Sequence, residues 1–265
     1  MVLLIVCTLT FVIHFIGTLA YCFRIVNITT QRSAITGSIF NLLMVVSRMA
    51  ITLQAPLLAK YVETRILNGV HDITYFRYII LASIVGSLAG GLMIPTAHRL
   101  FSQMVRTMYQ FFSITYILKQ SFQLKNWKKI KTYWTIPKRQ NWALVTQYQD
   151  ISFKIMFIHM INNSLLTVSV LSCLLAGYLN PNLRATTISL SGFVSGLSII
   201  GFYLYADPDM AILTDRVLAG EQSEIYYRKY MIFVIVSRIM GTILAQFLLV
   251  PLAYLVLFMA KNCLF

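Results

Sequence analysis

The sequence predicts an all-α, polytopic membrane protein with about six transmembrane helices, on three observations. Hydrophobic residues make up 58% of the chain and charged residues 11%, with a mean hydropathy of +0.74; a soluble domain holds roughly 45–50% apolar and about 25% charged residues. Six stretches are long and apolar enough to cross a hydrocarbon core that takes about 20 helical residues: 2–23, 33–59, 78–98, 155–179, 184–205 and 230–260. The Lys and Arg residues divide unevenly between the two faces that six crossings define, as the positive-inside rule requires.

Each stretch has its own character. The first has no Lys or Arg before it and is long enough to span, so it is read as a span and not as a signal peptide. Leu19-Ala20-Tyr21-Cys22 resembles a lipoprotein cleavage site, but tyrosine is too bulky before the cysteine. The second stretch carries Arg48 near its middle, roughly 16–22 Å from either end at about 1.5 Å per residue, too deep to snorkel comfortably. The third holds Gly86-x-x-x-Gly90-Gly91, the pattern of a close helix contact. The fourth brings His159, Asn162 and Asn163 together near its start. The fifth is the most polar, with Ser189, Ser191, Gly192, Ser195, Gly196 and Ser198, and suits a cavity lining better than a lipid face. The sixth carries Arg238 about eight residues from its start, where snorkelling and function are both open. Pro56 and Pro251 read as kinks.

Six crossings place Arg24, Arg32, the ten basic residues from Arg99 to Lys154, and Arg216, Arg228 and Lys229 on one face, 15 in all. The other face has Lys60, Arg65, Arg77, Arg184 and Lys261, five in all. The middle segment is therefore expected in the cytoplasm with both termini outside; a seventh crossing around 107–122 would break the count. That segment interleaves Trp127, Trp134 and Trp142 with Lys128, Lys129, Lys131, Lys138 and Arg139. Tethered between spans, such a segment is a membrane-interface anchor for anionic lipids or a collector of an anionic lipid substrate, and not a nucleic-acid site. The piece 109–118 could lie in that interface as a helix.

The halves also echo one another. Arg32 and Arg184, Pro56 and Pro208, and Glu63 and Asp215 lie 152 residues apart; Arg77 and Arg228, and Gly90 and Gly241, lie 151 apart. Ile13-His14-x-Ile16 recurs as Ile158-His159-x-Ile161. The division expected is a three-helix repeat over 1–98, a basic interfacial segment over 99–151 and a second repeat over 152–265. Three spans is an odd number, so the second copy would be inverted, with a substrate site near the midplane between the copies.

The charges inside the spans carry the functional argument. All eight acids fall outside the six stretches, whereas Arg48 and Arg238 lie inside. A lone arginine near the bilayer centre costs about 2.5–3.5 kcal/mol on insertion scales and normally faces a bundle interior or wet cavity. The missing anion is then the substrate, or else the guanidinium caps carbonyls of a broken helix. His14, His159, Asn162 and Asn163 either bridge helices or contact a polar substrate group. There is no phosphate-binding G-x-x-x-x-G-K-[ST] and no H-E-x-x-H, and Gly192-Phe193-Val194-Ser195-Gly196 misses an intramembrane serine-protease motif by one residue. No catalytic role and no cofactor is expected. The cysteines Cys7, Cys22, Cys173 and Cys263 are scattered, without a C-x-x-C pair.

The stretch from His14 to Tyr21, then Arg24, Arg32, Ser38-Ile39-Phe40-Asn41, Ser47-Arg48 and Gln54-Ala55-Pro56 resembles the Amj family, bacterial lipid II flippases that serve as alternates to MurJ. Ala206-Asp207-Pro208-Asp209 and the run from Leu213 to Glu221 look like the family's fifth loop. The resemblance implies a multi-pass protein of the bacterial plasma membrane. Its substrate would be undecaprenyl-pyrophosphate-linked disaccharide-pentapeptide, moved from the inner to the outer leaflet for peptidoglycan synthesis. Arg24, Arg32, Asn41 and Gln54, from the matching motif, and Arg184 join Arg48, Arg238, His14, His159, Asn162 and Asn163 as candidate headgroup contacts. One departure is that the family pattern carries an acid where this chain has Gly17. A permease for a small anion, with a closed central cavity, and a non-transporting scaffold of envelope synthesis are the alternatives.

Overall fold

The structure is a computed structural model that describes residues 2–69, 72–111, 134–135 and 151–262. Among the described residues six helical spans are long and apolar enough to cross a membrane, as the hydropathy pattern requires. The first is α1 (Val2–Leu19) and α2 (Cys22–Thr30), joined by a turn at Ala20–Tyr21. The second is α3 (Ser33–Leu67), the third α4 (Thr74–Phe111) and the fourth α5 (Phe153–Leu179). The fifth is broken. A 3₁₀ turn at Pro181–Leu183 leads into α6 (Arg184–Ser189) and α7 (Ser191–Gly201), and a π turn at Phe202–Ala206 leads into α8 (Asp207–Leu218). The sixth is α9 (Glu224–Asn262).

The spans run longer than their apolar stretches because helical hydrogen bonding continues through charged ends. Glu63 thereby lies within α3, Asp207, Asp209 and Asp215 within α8, and Glu224 in the first turn of α9. The expectation that every acid sits outside the spans is corrected to this extent. Residues 107–111 continue α4, while 112–122 and all of the Trp/Lys segment but Trp134 and Thr135 lie outside the described residues.

The tightest packing joins α1 to α4 and α5 to α9, and glycines permit it. A Cβ on Gly86 would stand 2.4 Å from the Phe11 carbonyl oxygen, and one on Gly90 would stand 2.8 Å from that of Phe15. On the other pair, a Cβ on Gly241 would stand 2.5 Å from the Met160 carbonyl oxygen. No side chain fits in those gaps, so the backbones approach as small-residue helix pairs do.

Two apolar clusters form the interior. One includes Phe23, Phe40, Met210, Tyr227 and Met231; the other includes Val6, Leu58, Phe76, Leu175 and Leu249. Between them lies a layer of buried polar groups: His14, Thr18, Ser47, His159, Asn163 and Arg238. Polar pairs close the two ends. At one, Arg24 pairs with Asp207, Tyr230 Oη donates to the Asp209 carboxylate, and the Arg32 guanidinium lies 3.4 Å from the Tyr109 ring centroid. At the other, Arg184 pairs with Glu63 at 3.1 Å and Arg65 with Asp72 at 3.6 Å. The amide and side chain of Thr74 hold the Asp72 carboxyl below its ordinary range, and the Asp72 amide donates to Tyr178 Oη at 2.9 Å.

Candidate functional site

Arg48 and Arg238 are 190 positions apart in the chain, on α3 and α9, yet they line one pocket. His159, Asn162, Asn163 and Leu166 of α5, Tyr21 of the turn, Met44 of α3 and Phe202 of the π turn complete it. Its volume is about 10 Å³, room for one water. In this conformation the pocket is closed around the charges, and any larger guest requires the helices to part.

Arg238 is 6% exposed, so it does not snorkel. Its Nε donates to Thr18 Oγ1 at 3.0 Å, and its guanidinium carbon lies 5.5 Å from the Tyr21 ring centroid. Its backbone oxygen accepts from Asn163 Nδ2 at 2.8 Å. Gly17 makes room for it, since a Cβ there would stand 2.8 Å from Arg238 Nη2 and 3.1 Å from Ser47 Oγ. Arg48 is half-buried in the seam between the second and fifth spans. Its guanidinium carbon lies 5.2 Å from the Phe202 ring centroid and 5.0 Å from that of Tyr203, so two aromatic faces stand in for a counter-ion. Among the described residues no carboxylate pairs with either arginine.

Several polar atoms here are buried without a hydrogen-bond partner: His14 Nδ1, Arg48 Nε, His159 Nε2 and Asn163 Oδ1. Buried polar groups are ordinarily satisfied, and their concentration around two unpaired cations calls for an explanation. Two guanidinium forks with imidazole nitrogens beside them are a donor set that can hold an anion carrying more than one charge. A phosphate or pyrophosphate matches the several planar donors of arginine.

The remaining candidates separate from this site. Gln54 Nε2 donates to Val6 O at 3.1 Å and to Thr10 Oγ1 at 2.6 Å, bridging α3 to α1. Asn162 accepts from Ser198 Oγ at its backbone oxygen (2.7 Å) and side-chain oxygen (3.2 Å), so it ties α5 to α7 while also lining the pocket. Asn41 is exposed and lines no described pocket. Arg24 and Arg184 are held by Asp207 and Glu63, and Arg32 lies exposed at the end of the bundle. The sequence reading missed Tyr21, Phe202 and Tyr203. A broken helix between Gly201 and Pro208 was the signal available for the last two.

Three comparisons bear on this arrangement. A model of the family described as Amj, alternate to MurJ, matches residues 9–260. The lipid II flippase Amj of Bacillus subtilis (strain 168) is 29% identical over 262 residues, covering 98% of this chain and 97% of that protein. No solved structure matches the chain. With a matched region that reaches into all six spans and takes in every residue lining the Arg48–Arg238 pocket, this chain belongs to the Amj family, the alternates to MurJ.

Proposed function

We propose that this protein is a lipid II flippase of the bacterial plasma membrane and that the Arg48–Arg238 pocket holds the substrate's pyrophosphate. The relative's name supplies the substrate and the transport, and the six spans support a multi-pass membrane protein. The observation that carries the site is the convergence of two carboxylate-free arginines from the second and sixth spans on one polar layer. An anion of two or more charges completes their coordination, so the charged headgroup crosses the midplane without meeting hydrocarbon.

The seam at Arg48 favours a lipid substrate over a small soluble anion. Arg48 is partly exposed at mid-helix, beside Val45, Val46 and Met49, which face outward, and Tyr203 is 42% exposed. At that depth the outward surface is lipid. The pocket therefore borders the bilayer sideways, the geometry that lets a polyprenyl tail stay outside while its headgroup enters. The basic face, with Arg24, Arg32, Arg216, Arg228 and the Trp/Lys segment, is the cytoplasmic side on the positive-inside rule.

The test is the amount of lipid II reachable from outside cells deprived of their resident flippase, with and without this protein. Rescue is expected from the native chain and not from Arg48→Gln at equal membrane abundance. Equal rescue by Arg48→Gln overturns the pyrophosphate site.

A further inference from the structure

The offset that relates the halves of the sequence also relates their helices. α3 opens at Ser33 and α6 at Arg184; α3 closes at Leu67 and α8 at Leu218, both 151 residues on. α4 and α9 open at Thr74 and Glu224, 150 apart. Contacts repeat as well. Gly90 lies against the Phe15 carbonyl, and Gly241, 151 residues later, lies against the carbonyl of Met160, the residue after His159 as Phe15 follows His14. In each half the first span packs on the third, and the second spans of the two halves meet through side chains, Arg184 on Glu63 and Arg48 on Phe202 and Tyr203.

Those two seam spans carry matched ends. The second opens after Arg32 and holds Glu63 in its last turns; the fifth opens with Arg184 and holds Asp215 in its last turns. They run antiparallel, so Arg184 meets Glu63 at one end of the seam, and Arg32 and Asp215 belong to the other. At the first end the pair is made, at 3.1 Å. At the second it is not. Arg32 lies over the Tyr109 ring, Asp215 is exposed, and among the described residues the two form no ion pair. Beside Asp215 is a cavity of about 110 Å³ that Arg24, Asn27, Ser33, Thr36 and Thr214 also line. At one end of the seam the matched pair is made; at the other it stands open and Arg24–Asp207 ties that end instead, although the sequence equips both alike.

We propose that Glu63–Arg184 and Arg32–Asp215 are equivalent gates of an inverted repeat, closed in alternation on opposite sides of the membrane. The conformation described here has the Glu63–Arg184 gate shut and the Arg32–Asp215 gate open. Rocking the fifth span against the second about the Arg48–Phe202 contact brings Arg32 off Tyr109 and onto Asp215, and parts Arg184 from Glu63. Exposed ion pairs add little stability, which suits contacts that break and remake in every cycle. The charges then select between two states of similar energy and need not hold either one rigidly. The assignment of lipid II to the pocket between the gates rests on the proposed function; the alternation itself does not.

In a background freed of Cys7, Cys22, Cys173 and Cys263, the test joins Glu63→Cys to Arg184→Cys, and separately Arg32→Cys to Asp215→Cys, with a short cleavable thiol cross-linker. Each pair is expected to cross-link in membranes, whereas a chain carrying all four cysteines forms one link per molecule and not both. Locking the first pair leaves Ser33→Cys, exposed at the cavity, reactive to an impermeant thiol reagent supplied on the side of Arg32; locking the second protects it at least tenfold. Either lock stops flipping, and cleavage of the linker restores it, which separates blocked motion from misfolding. Failure of the second pair to link where the first links fully overturns the proposal, as does formation of both links in one molecule. The linking and labelling readouts need no lipid II, so they stand apart from any failure of the substrate assignment.

Discussion

At the residue scale, the proposed site is built on charges that the described carboxylates leave unneutralised. Arg48 and Arg238 were legible in the sequence because a cation in an apolar run is rare and costly. Their convergence was not, since no local pattern relates positions on α3 and α9. Arg24 and Arg184 looked equally free, but their carboxylates are Asp207 and Glu63, 183 and 121 positions away in the chain. Asn41 shared its helix with Arg48 yet faces outward; α3 is apolar on several sides, so its sequence does not fix which face turns inward. The two unpaired arginines therefore make different demands on substitution. Arg48→Lys keeps the charge but loses the planar fork, and is expected to retain a fraction of external lipid II exposure, where Arg48→Gln falls to the level of cells without the protein. Gly17→Asp sets a carboxylate against the mobile tip of Arg238, which has no other. Relative to Gly17→Asn it is expected to raise the unfolding free energy in detergent by about 1–3 kcal/mol, part of the roughly 3–5 kcal/mol at stake when half of a buried pair is missing. Equal stability of the two variants, read by thermal melting, would mean that Arg238 already has its charge balanced.

At the element scale, hydropathy located all six spans, because twenty apolar residues in a row have few other destinations. It located their middles and not their ends. Charged residues such as Lys60, Glu63 and Arg65 look like boundaries in sequence, yet α3 continues through them to Leu67. The turn at Ala20–Tyr21 and the π turn at Phe202–Ala206 were also hidden, and both deliver aromatic rings to the site. π turns in helices often accompany function, and here the turn sets Phe202 and Tyr203 against Arg48. The Gly86/Gly90 contact was legible, and its counterpart at Gly241 became meaningful once the offset was known. Substituting these glycines separates packing from propensity. Gly241→Val drives a side chain into the Met160 carbonyl and is expected to cost about 1–3 kcal/mol. It also spreads α5 from α9, which between them carry His159, Asn163 and Arg238. Gly192→Ala meets nothing within 4 Å and gains helix propensity, so it should stabilise by up to about 1 kcal/mol. Melting both variants in one detergent decides between them; a silent Gly241→Val would mean that the two helices are not closely packed.

At the scale of the whole molecule, the fold is two apolar clusters with a polar layer between them, an arrangement that isolates charge at mid-depth and leaves the ends to ion pairs. A flippase needs that layer to face one leaflet and then the other, and the direction of net transport needs the chain to have a fixed sense in the membrane. The sequence states that sense through its basic residues. Fifteen Lys and Arg fall on the face with Arg24, Arg32 and the Trp/Lys segment against five on the face with Arg65 and Arg184, a bias large enough to set orientation during insertion. The end contacts group in the same way, with Arg24–Asp207 and Arg32–Tyr109 at one end and Glu63–Arg184 and Arg65–Asp72 at the other. Single cysteines therefore report the orientation directly. In a cysteine-free chain, Ser223→Cys, between α8 and α9, is expected to resist an impermeant thiol reagent added to intact cells. Asn180→Cys, between α5 and the broken fifth span, is expected to react with it. The converse labelling would put the basic face outside the cell. The open end of the seam would then face the outer leaflet, and the conformation described here would be the one that releases substrate, not the one that receives it.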